Sequence, residues 1–211
     1  MTIGGKAAGL VKLTELGLPV PPFVTVPVGG EIDWEGVAKV AEPLAVRSSA
    51  LGEDSSERSA AGQYETVLDV THDSVREAVE RVRASTDRAR AYGGGAEVAV
   101  VIQHQVQATR AGVAFSRDPV TGVDEVVIEC ALGGGERIVS GLVTPDRYRV
   151  RDAVVRARAV GDVRTLRDDE AHALVALMRQ AERGFGHPVD VEFCFAGREL
   201  WLVQCRPITT L

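Results

Sequence analysis

Residues 189–207 read VDVEFCFAGRELWLVQCRP, the pattern of a β-hairpin. Apolar residues alternate along the first arm, Ala196-Gly197-Arg198-Glu199 supplies a turn, and a second apolar arm follows. Asp190 and Glu192 lie two apart on one arm, and Gln204 and Arg206 two apart on the other. Residues two apart on a strand project to the same face. Two carboxylates on one strand face suit Mg²⁺, which takes one or two carboxylates and completes its shell with phosphate oxygens. An arginine beside them stabilises charge on a transferring phosphoryl group, and an amide orients a ligand. A solvated face with cross-strand ion pairs would carry the same residues. Register separates the two readings. A simple two- or four-residue turn centred between Gly197 and Arg198 puts Glu192 opposite Val203, with Gln204 and Arg206 on the other face. All four share a face only if Glu192 pairs with Gln204 and Asp190 with Arg206. The spacing assigns that register to an odd-length turn centred on Arg198, such as a three-residue loop with a bulge.

The rest of the chain frames this hairpin. Its 211 residues suffice for one good core or two small lobes, and 45% hydrophobic with 26% charged residues is ordinary globular composition. A net charge of −6 gives no general basic footprint and argues against nucleic acid as a partner. No run approaches the ~20 apolar residues that span a bilayer, and MTIGGKAAGLVK lacks a secretory layout. Cys130, Cys194 and Cys205 form no CxxC pair and are odd in number, which favours buried thiols and a cytoplasmic protein. A hairpin can bring Cys194 and Cys205 face to face, but thiols are the favoured state. His72, His104, His172 and His187 have no metal-ligand spacing.

Helical spacing of Ala7, Leu10, Val11 and Thr14 predicts a helix that Gly17 caps and Pro19, Pro21 and Pro22 terminate. Residues 43–49 read as a strand running into a polar loop, and residues 51–63 as a mobile loop. A helix is expected from about Asp73 to the glycine run 93–95. Strands follow over 97–106, 111–119 and 124–132. Arg147–Val160 alternates basic and apolar residues around a turn near Asp152. Thr165 and Asp168 offer a cap for a helix carrying Leu174, Val175, Met178 and Ala181, ended by Gly184. Helices and strands are mixed, and the second half is mostly antiparallel. An α+β fold of two lobes results, residues 1–95 and 96–211.

Other residues could bind anions or cations. Gly4-Gly5-Lys6 at a helix start presents free N–H groups and a point charge to a phosphate, though a surface lysine is the commoner occupant. Arg47 at a strand end suits bidentate phosphate contact or an ion pair with Glu53 or Asp54. Glu129 sits inside the apolar strand VVIEC, where a carboxylate is costly unless paired or bound to a cation. The Gly133–Arg137 cluster permits close backbone approach to a ligand. Asp118 reads as a turn-stabilising aspartate.

Taken in order, GGKAAGLVKLTELGLPVPPF, AVRSSALGEDSSERSAAGQYET, GVAFSRDPVTG, VVIECALGGGERIVSGLVTPDRY and DVEFCFAGRELWLVQCRPIT resemble the nucleotide-binding domain of the pyruvate phosphate dikinase, phosphoenolpyruvate synthase and rifampin phosphotransferase family. The resemblance implies an ATP-grasp-like fold with ATP held between the lobes. It implies phosphate contacts from Lys6 and Arg47, and from Gln204 and Arg206 at the phosphate end. Glu129 or Glu136, with Asp190 and Glu192, would hold ribose or magnesium. Gln103 and Val106 would neighbour adenine, and residues 59–66 would cover the phosphates. Arg117 matches a family arginine of open role. Relative to the family, the chain is shortened between Phe23 and Leu44 and around 84–96 and 151–170. The implied function is that of an ATP-dependent phosphotransferase component using ATP and Mg²⁺. It would pass a phosphoryl group to a phosphohistidine or acceptor domain of a separate partner protein. A stand-alone small-molecule kinase and a non-catalytic nucleotide-binding module are the alternatives. No histidine lies in the family's phospho-carrier context, so His104 is expected to be structural.

Overall fold

A computed structural model describes residues 2–50, 66–91, 98–134 and 143–209. Contacts divide the chain into two compact units, one of Met1–Val11 with Pro21–Val106 and one of Lys12–Val20 with Gln107–Leu211. Helix α1 (Gly4–Glu15) contributes to both, and Gly17, at φ +69°, follows its end as expected.

The first unit holds β1 (Phe23–Val26), α2 (Trp34–Val37), β2 (Leu44–Ala50), β3 (Thr66–Val70), α3 (Val75–Ala91) and β4 (Val98–His104). Its four strands run in the order β1-β4-β2-β3, every pairing antiparallel. Val75, Val79 and Val82, on one face of α3, pack on Val26, Leu44, Val46, Val100 and Ile102. The helix starts two residues later than expected, because His72–Ser74 form a 3₁₀ turn. Ser48 and Ser49 also differ from expectation: they lie buried within β2 rather than in a loop beyond it.

The second unit is built on β5 (Arg110–Phe115), β6 (Val126–Leu132), β7 (Asp146–Arg151), β8 (Val154–Arg158), β9 (Val189–Ala196) and β10 (Glu199–Pro207). Their order is β10-β9-β5-β6-β7-β8, again antiparallel throughout. Helix α4 (Asp168–Phe185) covers one sheet face, where Leu174, Met178 and Ala181 meet Ile128, Tyr148, Val191, Phe193 and Cys205. Its caps differ from those expected. Arg167 is the N-cap residue and donates its N–H to the Glu170 carboxylate at 3.0 Å, while Thr165 donates its own to Asp146. The helix ends at Gly186, in the left-handed region at φ 78°, rather than at Gly184. A bidentate Arg110–Glu170 pair at 2.7 and 2.9 Å ties β5 to the first turn of α4.

The three cysteines are buried thiols. Cys194 lies opposite Trp201 and Cys205 opposite Val191, so the hairpin does not bring the two together. Burial pushes the Cys130 thiol up to about 12.

Candidate functional site

The β9–β10 hairpin joins the two registers that the sequence set against each other. Its turn is even: Glu199 pairs with Ala196, Leu200 with Phe195, Trp201 with Cys194 and Leu202 with Phe193. The ladder then shifts between Leu202 and Gln204, leaving Val203 as an extra residue. Beyond it Gln204 faces Glu192 and Arg206 faces Asp190. The expected pairs therefore form, but a bulge within β10 sets them rather than an odd-length turn.

Those four side chains point away from α4, since Val191 and Cys205 occupy the covered face. Asp190 and Gln204 are buried, Glu192 is half-buried and Arg206 is exposed. Arg206 donates from Nε to Asp190 Oδ2 at 2.8 Å. The Asp190 carboxyl is nevertheless raised above its ordinary value, because burial disfavours its charge and Glu192 adds repulsion that Arg206 only partly offsets.

The ladder carries this face across the sheet. Gln204, Glu192, Val113, Glu129 and Arg147 stand in one row over β10, β9, β5, β6 and β7. Glu192 and Glu129 are two strands apart, about 10 Å. Glu129, half-buried, has Arg147 Nε at 3.6 Å. Arg147 was not singled out from the sequence, although the alternation RYRVR already placed it on the polar face of its strand.

In the first unit, Lys6 lies in the first turn of α1. Gly4, at φ +71°, approaches β2 so closely that an added Cβ would lie 2.2 Å from Ser49 O. Ser49 Oγ accepts the Ala7 N–H at 3.0 Å, so one of the helix-start donors is taken within the unit. Arg47 is half-buried in the middle of β2, not at a strand end as expected, and stands opposite Val101 and Thr66. Gln103, 2% exposed, pairs with Ala45 and donates weakly to Pro21 O at 3.4 Å. Val106 follows β4, half-buried. Glu136 and residues 59–65 of the expected phosphate-covering loop lie outside the described residues.

Other candidates have structural partners. Arg117 Nε donates to Glu182 on α4 at 2.9 Å. Asp118 accepts the N–H groups of Val120 and Thr121 at 2.9 and 3.1 Å, closing the turn after β5. Each histidine meets a backbone carbonyl, His104 that of Ala41 and His72 that of Val40, His172 that of Ala153 and His187 that of Pro188. No helix is long and apolar enough to cross a membrane among the described residues.

Among solved structures, an ADP complex of N5-carboxyaminoimidazole ribonucleotide synthetase matches with a TM-score of 0.59 at 12% identity, over 98% of this chain and 45% of that one. D-alanine–D-alanine ligase from Bacillus anthracis complexed with ATP matches with a TM-score of 0.56 at 9% identity, over 97% and 54%. The fold is thus α+β and ATP-grasp-like.

At the level of sequence, the chain belongs to the pyruvate phosphate dikinase AMP/ATP-binding domain family, which matches residues 33–162 and 152–211. A probable phosphoenolpyruvate synthase of Archaeoglobus fulgidus is 38% identical over 204 positions, covering 80% of this chain and 27% of the relative. A rifampicin phosphotransferase of Streptomyces is 37% identical, covering 92% and 26%. The prodigiosin synthesizing transferase of Serratia marcescens is 31% identical, covering 99% and 32%. Its alignment runs to 282 positions against the 211 residues here, so that relative carries residues without a counterpart in this chain. The chain spans about a quarter to a third of the length of these relatives.

Proposed function

We propose that this chain is the MgATP-binding component of a phosphotransferase, passing a phosphoryl group from ATP to a histidine on a partner domain or to a small-molecule acceptor. The observation that carries the reading is the bulged register that gives Asp190, Glu192, Gln204 and Arg206 one shared face. Membership in an AMP/ATP-binding domain family supports the nucleotide.

The hairpin fits magnesium in a particular way. No three His, Cys, Asp or Glu side chains converge as a metal cage among the described residues. Two carboxylates on one face fit an ion whose remaining ligands are phosphate oxygens and water. The raised Asp190 carboxyl points the same way, since a second cation beside Arg206 would offset the burial that disfavours its charged form. Magnesium, when bound, would offset charge on the phosphate oxygens. Asp190 and Glu192 hold it, Gln204 orients the phosphates, and Arg206, exposed enough to reach a ligand, stabilises charge on the transferring group. Lys6 and Arg47 contact phosphates, Glu129 or Glu136 serves ribose or magnesium, and Gln103 and Val106 flank adenine.

Glu192→Gln tests the assignment. Calorimetry with ATP in the presence and absence of Mg²⁺ is expected to show the magnesium-dependent part of the affinity lost, at least tenfold, and unchanged affinity removes the metal role. Phosphorus NMR with candidate partners then separates transfer that leaves AMP and phosphate from transfer that leaves ADP. No turnover with any acceptor leaves a binding module rather than an enzyme.

A further inference from the structure

The polar face of the second unit ends in arginine. On β7, Arg147, Arg149 and Arg151 alternate on the face away from α4, and Arg158 and Arg156 of β8 stand directly opposite the first two. Like charges directly opposed cost stability. Glu129 faces Arg147 at 3.6 Å, Glu125 and Asp118 hold Arg149, and Glu125 reaches Arg156 at 3.8 Å. The Arg158 side chain has no ion pair or hydrogen bond among the described residues. In a chain of net charge −6 this concentration runs against the whole.

β8 is also the last strand of its sheet, and no described strand pairs with its outer edge. The segment beyond it is exposed, and Val154, Val160 and Val163 are 50, 61 and 83% accessible. The family match breaks at the same place, its two stretches overlapping on residues 152–162. The turn Asp152-Ala153, with φ of 50° and 61°, closes β7 and β8 as a two-residue hairpin. Arg151 and Val154 then form the closing hydrogen-bonded pair, and alternation turns the backbone groups of Val155 and Ala157 outward.

We propose that the outer edge of β8 takes up an extended acidic segment of a partner protein as an added strand, its carboxylates meeting Arg156 and Arg158. Main-chain hydrogen bonds supply the affinity of such an addition and alternate side chains its specificity. Charge selects the occupant. A second copy of this chain adding its own β8 would set arginine against arginine. Charged side chains commonly guard edge strands, but a guard explains neither the arginines of the inner strand β7 nor the exposed valines. The same cations that repel a copy attract an acidic strand.

Fluorescence anisotropy on the full chain, with a labelled seven-residue peptide alternating glutamate and valine, tests this. Saturable binding is expected, weakening at least fivefold between about 50 and 300 mM NaCl. R156E/R158E, and the milder R156Q/R158Q, should weaken it at least tenfold while ATP affinity stays unchanged. Ala157→Pro keeps the charges but removes one outward donor, and should weaken the peptide as much. Three results overturn the proposal: equal binding of a lysine–valine peptide, tighter binding of a DNA oligonucleotide, or peptide affinity indifferent to these variants. Self-association in sedimentation that Ala157→Pro abolishes would assign the edge to a second copy instead.

Discussion

Two aspartates of the second unit are both buried and titrate in opposite directions. Asp118, fully buried in the turn after β5, is held down to about 2, first by the Val120 N–H and then by the Thr121 N–H and Arg149, against the cost of burial. Asp190, 6% exposed on β9, is raised, chiefly by burial, which the Arg206 guanidinium at 2.8 Å only partly offsets and to which Glu192 adds repulsion. The sequence places Asp118 in the turn after an apolar strand and Asp190 on a strand itself. The difference lies in donors. A turn folds its own N–H groups onto the carboxylate, whereas a strand has spent its N–H groups on the ladder. Asp118 is balanced within the chain, by two N–H groups on Oδ1 and the Arg149 ion pair at Oδ2, whereas Asp190 carries a burial cost that Arg206 only partly offsets, which suits the cation-binding role proposed for it.

Removing the completed carboxylate should have the largest effect. Asp118→Ala leaves two turn N–H groups without their acceptor and Arg149 with Glu125 alone, so chemical denaturation should show a loss of about 2–4 kcal/mol. A loss below about 1 kcal/mol would mean that solvent replaces the carboxylate and that the contrast with Asp190 is overdrawn.

Acid should divide the two next. A depressed carboxylate contributes stability that is full above its unfolded value, near 3.8, and is lost as pH falls towards its folded value of about 2. Asp118 therefore lowers stability across that window. Asp190 has the opposite sign: its raised carboxyl destabilises the fold at neutral pH, and protonation relieves the penalty as pH falls through its folded value. Asp190→Asn should thus leave the ligand-free protein as stable at pH 7 or more so, by up to about 1 kcal/mol. Its acid-induced loss should be steeper than that of the unmutated protein. Unfolding midpoints from pH 7 to 2 check both, and a less stable Asp190→Asn at pH 7 would place Asp190 with Asp118 as a structural residue.

The same physics explains what the sequence could reveal. Periodicity found α3, α4 and strands β4 to β10, because each buries one regular face, as Val75, Val79 and Val82 do. It missed β1, α2 and β3, which are four, four and five residues long; β8, also five, was legible because it continues the alternation of β7 across a tight turn. Ser48 and Ser49 looked like loop residues, yet Ser49 is buried because Ala7 N–H needs its hydroxyl. At the candidate site the four hairpin residues were legible from spacing, and Glu129 from its apolar surroundings. Arg147 was hidden because its relevance depends on β7 lying beside β6, which no local pattern encodes. Val203 was hidden for a different reason, since nothing in LWLVQ distinguishes a bulged valine from a paired one.

That valine gives the smallest effect. Leu202 faces the core, Gln204 faces outward and Cys205 faces the core again, so the alternation skips Val203. In an uninterrupted even register, the residue after Leu202 would stand opposite Glu192. Deleting Val203 makes that residue Gln204, the partner it already has. Leu202 also keeps its N–H bond to Pro19 O at 2.8 Å, which does not depend on the bulge. The deletion should therefore cost less than about 1 kcal/mol and keep all four polar side chains on one face. What it removes is the added local twist, so ATP affinity should fall only a few-fold, far less than in Glu192→Gln. A deletion as damaging to binding as Glu192→Gln, with stability intact, would show that the bulge aims the side chains as well as setting their register.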